Sequence, residues 1–244
     1  MEIIVQEILV IFILICYPLS MFFDIGVYNL KFILQKESNF RYWMSIIQVF
    51  QYFARIFMVI FIPAMSYLTE VYKDSNLIFN ISISVHFISA LLLTLSLILF
   101  SKVNLVNLFL VKIINSFTGK ENISDGFKAK ELSNKFPSNI FTRKLFITSF
   151  ISHFFVGISM TYIYVVSFYF RDLILTLNSF TQILNMIAIS ILLIVVDPRV
   201  MVSFDKKGAG DVQLKVIYIS RVLAHFLVGI LFFIVKQSIN YKAT

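Results

Sequence analysis

The sequence predicts an all-α membrane protein, a polytopic bundle of about six transmembrane helices that forms a single domain over residues 1–244. Three observations carry this prediction. Hydrophobic residues make up 59% of the chain, whereas charged residues make up 14%, against about 25% in an average soluble domain. The mean hydropathy is +0.89. The apolar residues are gathered into six long runs, so lipid rather than water is the expected solvent for most of the surface.

Each of the six runs is long enough to cross a bilayer, which takes about 20 mostly apolar residues. Lipid offers no partner for open backbone groups, so these runs are expected to be helices. The fourth and fifth runs meet at Arg171 and Asp172, and so short a connection predicts an antiparallel hairpin. The predicted spans are residues 8–30, 44–69, 77–100, 145–170, 173–196 and 212–236.

The long segment 101–144 separates the third and fourth spans and divides into two parts. Residues 103–117 are apolar, with Asn and Lys side chains interrupting the run. This pattern predicts an amphipathic helix that lies at the membrane interface. Residues 118–139 are polar, contain Gly and Pro, and are expected to form a loop.

The positive charges predict how the helices are oriented. Of the 21 Lys and Arg residues, 15 fall in the segments 31–43, 101–144 and 197–215, which six spans place on one side of the membrane. Cytoplasmic loops carry such an excess, so we expect both termini outside the cytoplasm of a cell inner (plasma) membrane. This placement accounts for the net charge of +8 without a nucleic-acid partner.

No catalytic or cofactor-binding motif is found in the sequence. It contains no G-x-S-x-G, H-E-x-x-H or P-loop pattern and no paired acidic motif for magnesium. The single cysteine, Cys16, lies in an apolar run, and the histidines at 86, 153 and 225 are too far apart in sequence to indicate a metal site strongly. We therefore expect no enzymatic activity, no metal and no cofactor.

Polar side chains follow one face of several predicted helices. In the second span Gln48, Gln51, Tyr52 and Arg55 stand at i, i+3, i+4 and i+7 and therefore share a face. Similar rows in the other helices predict a bundle with a polar interior, although Ser, Thr and Gly in such rows most often serve helix packing. Those rows contain Ser82, His86, Ser89 and Ser96; Ser149, His153, Gly157, Thr161 and Tyr164; Asn178, Gln182 and Asn185; Tyr218, Arg221, His225 and Gly229.

Two arginines within the spans are the most informative residues. Arg55 lies near the middle of the second span, where an arginine costs about 2.5–3.5 kcal/mol on insertion scales. Its guanidinium is also the group best suited to bidentate capture of phosphate. Arg221 lies in the last span, with His225 one turn further on. Asp24 in the first span and Asp197 at the end of the fifth are candidate partners, so structural ion pairs are the alternative interpretation.

Two stretches resemble the Amj family of lipid II flippases. In YFARIFMVIFIPAMSYLTE, Arg55 is followed eight residues later by Pro63. In LNMIAISILLIVVDPRVMVSFDKKGAGD, Asn185 lies near the middle of a helix that ends in V-D-P, and Asp205 follows. The order of elements also agrees, whereas Met58, Phe61 and Met186 depart from the family pattern.

The resemblance implies transport of lipid II, an undecaprenyl-pyrophosphate-linked precursor of peptidoglycan, from the cytoplasmic to the outer leaflet. The expected partners are this anionic polyprenyl-linked lipid and the surrounding membrane lipids; the oligomeric state is not indicated. Arg55 and Arg221 would bind the pyrophosphate, and Asp24 and Asp197 would hold these arginines in the absence of substrate. Further residues expected to bind the headgroup are Gln48, Gln51, Gln182, Asn185 and His225.

Three other functions remain open on the sequence alone. The cargo could be another polyprenyl phosphate or a phospholipid, since nothing in the residues is unique to lipid II. A non-transporting scaffold would bury both arginines in ion pairs within a tightly packed bundle. An enzyme acting on a lipid phosphate would bring carboxylates or histidines within reach of a metal.

The predicted topology can be tested by thiol labelling. Cysteines introduced at Lys128 and Asn134 should be shielded from membrane-impermeant reagents in intact cells, because both positions fall in the long basic segment. A cysteine at Asp74, in the short connection between the second and third spans, should be labelled. The reverse pattern would mean that one span has been miscounted.

Overall fold

The computed structural model describes residues 2–34, 40–72, 74–102, 112, 116, 140–205 and 210–243. Within them the chain is almost entirely helical and contains no strand, which confirms the predicted all-α class. The main helices are α1 (Glu2–Leu34), α2 (Phe40–Val71), α3 (Ser75–Lys102), α4 (Ile140–Val166), α5 (Ile174–Ile191), α6 (Asp197–Asp205) and α7 (Gly210–Ala243).

Six helical stretches of the described chain are long and apolar enough to span a membrane, so the predicted number of spans is confirmed and the protein is a multi-pass membrane protein. The predicted interfacial helix 103–117 falls outside the described residues apart from Lys112 and Ser116, and the predicted loop 118–139 falls outside them altogether. The spanning stretches are Ile4–Phe32, Ile47–Val71, Ser75–Ile98, Thr142–Val166, Ile174–Ser203 and Val212–Ile239.

The fifth spanning helix is longer than the sequence predicted. It was expected to end at the V-D-P sequence, but α5 passes through a π-helical segment, Leu192–Val196, into α6 without a break. The reason lies in Pro198, which has no N–H to donate to the carbonyl four residues earlier and whose ring crowds that carbonyl. Widening the preceding turn to i→i+5 hydrogen bonds accommodates the proline inside a continuous helix.

Helices α1, α3, α4 and α7 form the centre of the bundle, with α7 packed against both α3 and α4. Helix α2 packs on the outside of α1, and α5 packs on the outside of α4 as the short α4–α5 connection predicts. Helices α2 and α5 make at most slight contact with each other. A gap between these two peripheral helices therefore opens sideways, toward the surrounding lipid.

Two apolar clusters stabilise opposite ends of the bundle. One joins Tyr17 of α1 to Phe61 of α2 and Phe232 of α7. The other joins Ile25 of α1, Leu145 of α4 and Leu214 of α7, close to the ends where the basic segments attach; we call this the basic end. Between the two clusters the spans carry charged and amide side chains, so the interior is layered as apolar, polar and apolar.

Gly157 lets α4 approach its neighbours closely. A Cβ added there would lie 3.3 Å from Val228 Cγ2 of α7 and 3.4 Å from His86 Cε1 of α3. The first distance is tighter than most van der Waals contacts and the second is at the lower limit of ordinary contact, so a side chain larger than a methyl group requires its neighbours to move. Small residues at helix crossings are the usual device for such packing in membranes.

We predict that Gly157→Leu destabilises the bundle by about 1–3 kcal/mol, the usual cost of overpacking. The midpoint of thermal unfolding in detergent should fall accordingly. Ser179→Leu introduces the same side chain at an exposed position of α5 and should leave that midpoint nearly unchanged. Equal midpoints for the two variants would show that the α4 crossing is not tightly packed.

Candidate functional site

A polar cavity of about 340 Å³ lies in the layer between the two apolar clusters. All the spans except α3 contribute to its wall, and it extends to the gap between α2 and α5. The polar residues that line it are Ser20, Asp24, Tyr28, Gln51, Arg55, His153, Asn185, Asp197 and Arg221. Apolar side chains such as Met21, Met58 and Ile189 complete the wall.

Three of the four charged residues that line the cavity lie at nearly the same depth. Asp24 precedes the end of the first spanning stretch by eight residues, Arg55 follows the start of the second by eight, and Arg221 follows the start of the last by nine. At 1.5 Å per residue, all three lie about 12–14 Å from the basic end. They therefore form a layer of charge inside the hydrocarbon region rather than at its surface.

Arg221 and Asp24 form an ion pair, with 2.6 Å between Nη1 and Oδ2. The Arg221 side chain is 1% exposed, whereas Asp24 is 41% exposed and borders the cavity. The guanidinium also lies over the ring of Tyr28, 5.1 Å from its centroid. The Tyr28 hydroxyl donates a hydrogen bond to Asp197, so one tyrosine links the ion pair to the second carboxylate.

Arg55 is held quite differently. Its side chain is exposed at the cavity, and no carboxylate of the described chain lies within ion-pair distance of it. The described contact is with the ring of Tyr52 one turn earlier, whose centroid is 5.2 Å from the guanidinium carbon. An arginine stacked on an aromatic ring retains its N–H donors for another partner.

The π-helical segment determines where Asp197 lies. The backbone N–H of Asp197 bonds to the carbonyl of Leu192, five residues earlier. Such a wide turn shifts every following side chain around the helix axis relative to a regular α-helix. Asp197 thereby lines the cavity and meets Tyr28 of α1.

Six of the nine residues predicted from the sequence line this one cavity: Arg55, Arg221, Gln51, Asn185, Asp24 and Asp197. Gln48 and Gln182 do not. Each lies three residues before a lining residue, on the exposed side of its helix, because three residues turn a helix by about 300° rather than a full circle. Asp197 was expected to hold an arginine, but its described hydrogen bond comes from Tyr28.

His225 is also absent from the cavity wall. It is buried at the centre of the bundle, where its Nδ1 lies 3.1 Å from Nδ1 of His86. The two rings are stacked at 26° with centroids 5.4 Å apart, and His86 Nε2 lies 3.0 Å from Thr161 Oγ1. Among the described residues no group of three His, Cys, Asp or Glu could hold a metal ion.

Sequence reasoning missed two of the residues that shape the site. Tyr28 was not identified because it belongs to none of the polar rows, although it is one turn from Asp24. His153 was listed in a polar row but was not among the predicted headgroup ligands, yet it lines the cavity. The i, i+4 spacing of Asp24 and Tyr28 is the signal that could have connected them.

Several buried polar atoms near the cavity have no hydrogen-bond partner in the described part of the chain. Among the lining residues these are Nε of Arg221, Nε2 of His153 and Oδ1 of Asn185. Buried polar groups nearly always find a partner, so such a cluster is typical of a site that receives a polar ligand or water. The cavity thus offers donors and acceptors as well as positive charge.

Comparison with known proteins gave no match: no family model, curated protein or solved structure is detectably similar to this chain.

We predict that breaking the ion pair of Arg221 destabilises the protein more than neutralising Arg55 does. Asp24→Asn leaves Arg221 buried without its counter-ion and should cost about 3 kcal/mol, the lower end for breaking a buried pair because Asp24 is partly exposed. Arg55→Gln should cost less than about 1 kcal/mol, since Arg55 has no described carboxylate partner. Thermal unfolding in detergent measures both, and equal losses would refute the distinction.

Proposed function

We propose that this protein moves an anionic, polyprenyl-linked lipid across a cell inner membrane and that its cargo is lipid II. The observation that carries the proposal is Arg55, a cation within the hydrocarbon layer that borders a laterally open cavity and has no described carboxylate partner. An intramembrane charge is costly and is typically retained for function. The basic segments are then cytoplasmic, and both termini lie outside the cytoplasm.

The lateral gap between α2 and α5 suits a lipid substrate. A lipid headgroup can enter from the side while its hydrocarbon tail stays in the bilayer. Exposed apolar side chains such as Ile189 and Leu193 border this opening, and they offer the tail a surface like that of lipid. A water-soluble substrate would gain nothing from an entrance at this depth.

The charges of the cavity suit a phosphate that arrives and leaves. Arg55 offers free donors at the opening, whereas Arg221 is held by Asp24 further inside. An incoming phosphate can take the place of Asp24 on Arg221 without leaving the arginine unpaired. Asp24 is partly exposed, so the cavity can solvate the carboxylate once it is released.

The size of the cavity limits what it can enclose. At about 340 Å³ it is at the small end of ligand sites, which run from about 300 to 1,000 Å³. It can take a pyrophosphate and part of a sugar, but not a whole disaccharide-peptide. Passage of that headgroup therefore requires α2 and α5 to separate further. Because these two helices make at most slight contact, their separation breaks few interactions.

A flippase for another phosphate-bearing lipid is the competing proposal, because the cavity recognises charge and hydrogen-bonding groups that such lipids share. A scaffold is a weaker alternative, because Arg55 is unpaired within the described residues and a cavity is present. Lipid II is preferred on the resemblance of the helix that carries Asn185 and Asp197.

We predict that Arg55→Gln abolishes transport while leaving the protein folded. Purified protein in proteoliposomes should translocate a fluorescent polyprenyl-pyrophosphate-linked sugar, measured by its loss of accessibility to a membrane-impermeant quencher. Arg143→Gln makes the same chemical change at an exposed position outside the cavity and should retain transport. Full activity of Arg55→Gln, or comparable loss in both variants, would contradict a ligand role for Arg55.

The cargo is tested in cells. Expression of the protein should rescue growth of a bacterium depleted of its main lipid II flippase, and the Arg55→Gln variant should not. Wild-type protein that transports the fluorescent lipid in vesicles but fails to rescue would be a flippase for another lipid. Protein that does neither would leave the scaffold as the better account.

A further inference from the structure

A buried histidine pair lies beside the cavity and has no part in the transport scheme above. His86 of α3 and His225 of α7 are 0% and 1% exposed, and their Nδ1 atoms are 3.1 Å apart. His225 follows Arg221 by one helical turn, so the pair and the cavity share a face of α7. Histidine is the side chain that most readily gains and loses a proton near neutral pH.

The hydrogen bonds around the pair fix where its protons lie when both rings are neutral. Thr161 has one hydroxyl proton, which it donates to the carbonyl of Gly157 at 3.1 Å. Its oxygen must then accept from Nε2–H of His86, at 3.0 Å. A neutral His86 consequently has a bare Nδ1, which accepts from Nδ1–H of His225.

This assignment leaves one nitrogen free to take a proton. Nε2 of His225 carries a lone pair, is buried, and has no hydrogen-bond partner in the described residues. Protonation there keeps the existing bond from Nδ1–H to His86 intact. In the hydrogen-bonded series that links Thr161, His86 and His225, no other group can accept a proton without breaking one of its hydrogen bonds.

A positive charge on His225 is opposed by the cation Arg221, one turn earlier on α7. The ring of Tyr17 meets His86 and His225 edge-on, with centroids 5.3 and 5.9 Å away. The titratable and charged groups that face the pair are Tyr17 from α1, His153 from α4 and Arg221 from α7. Asp24 of α1 and Arg55 of α2 border the neighbouring cavity.

We propose that His225 binds a proton at Nε2, and that this proton and an anionic headgroup in the cavity bind cooperatively. The proposal rests on the transport function above and adds a coupled ion to it. An O–H bond of a hydronium ion breaks, an N–H bond forms at Nε2, and water remains. The reverse step returns the proton, and no electrons are exchanged.

The sign of the coupling follows from charge. A protonated His225 places a second cation one turn from Arg221, which repels that arginine and attracts an anion. The headgroup should therefore bind more tightly as pH falls through the titration of His225. By reciprocity, a bound headgroup must make His225 hold its proton more tightly by the same factor.

Binding of farnesyl pyrophosphate to protein in phosphatidylcholine nanodiscs tests the coupling. Between pH 8 and pH 4 the wild type should gain at least about fivefold more affinity than His225→Gln, the lower end of ordinary allosteric coupling. The pyrophosphate itself also titrates over this range, but its effect on affinity is the same for both proteins. The difference between the wild type and the variant therefore reports His225 alone. Identical pH profiles would overturn the coupling and leave the transport proposal standing.

Nitrogen NMR of the wild type provides a second measurement, which does not depend on whether a His225 variant folds. The chain has 3 histidines, so three pairs of ring signals are expected. The ring whose Nδ1–H is hydrogen-bonded to His86, that of His225, should gain a proton at Nε2, and farnesyl pyrophosphate should move its titration midpoint upward. An unmoved midpoint despite bound ligand refutes the coupling, whereas ligand that does not bind at any pH refutes the transport proposal and the coupling with it.

Thr161 supplies the matched control for the proton assignment. Thr161→Val removes the oxygen that fixes the tautomer of His86 and should alter the ring signals of both histidines. Thr161→Ser retains the hydroxyl and should restore the wild-type signals and the pH dependence of binding. Equal effects of the two substitutions would mean that packing, rather than the hydrogen bond, sets the tautomers.

Discussion

The interior of this protein depends on the ion pair between Arg221 and Asp24. A charged guanidinium that is 1% exposed within a membrane bundle needs a carboxylate beside it, because removing a charge from water costs several kcal/mol. Meeting that requirement brings α1 against α7, and Tyr28 extends the contact to Asp197 on the fifth spanning helix. The polar layer, the cavity and the helices that border them follow from this one arrangement.

The two arginines of the layer are held in different ways. Arg221 sits on α7, the most buried span, and its partner comes from the helix beside it. Arg55 sits on α2, a peripheral helix that packs mainly on α1. Both arginines border the cavity and can therefore contact the same anion. Arg55 can move with α2 without breaking an ion pair, whereas movement of Arg221 would separate it from Asp24.

Sequence patterns predicted the helices well, because the length of an apolar run is set directly by the thickness of the bilayer. Helical periodicity also brought Gln51 and Arg55 to one face. It could not tell how each helix is rotated against its neighbours, which is why Gln48 and Gln182 were placed in a cavity they do not reach. The pairing of Asp24 with Arg221 and the contact of His86 with His225 join distant parts of the chain, and no local pattern encodes them.

The depth of the polar layer has an electrical consequence. A site about 12 Å inside a hydrocarbon core of about 30 Å divides the membrane potential unequally, with roughly three-fifths of it between the layer and the far face. One elementary charge carried over that distance exchanges about 1.4 kcal/mol with the field per 100 mV, out of about 2.3 for the full crossing. An anion that travels with a proton presents a smaller net charge, so the field acts less strongly on the pair than on the anion alone.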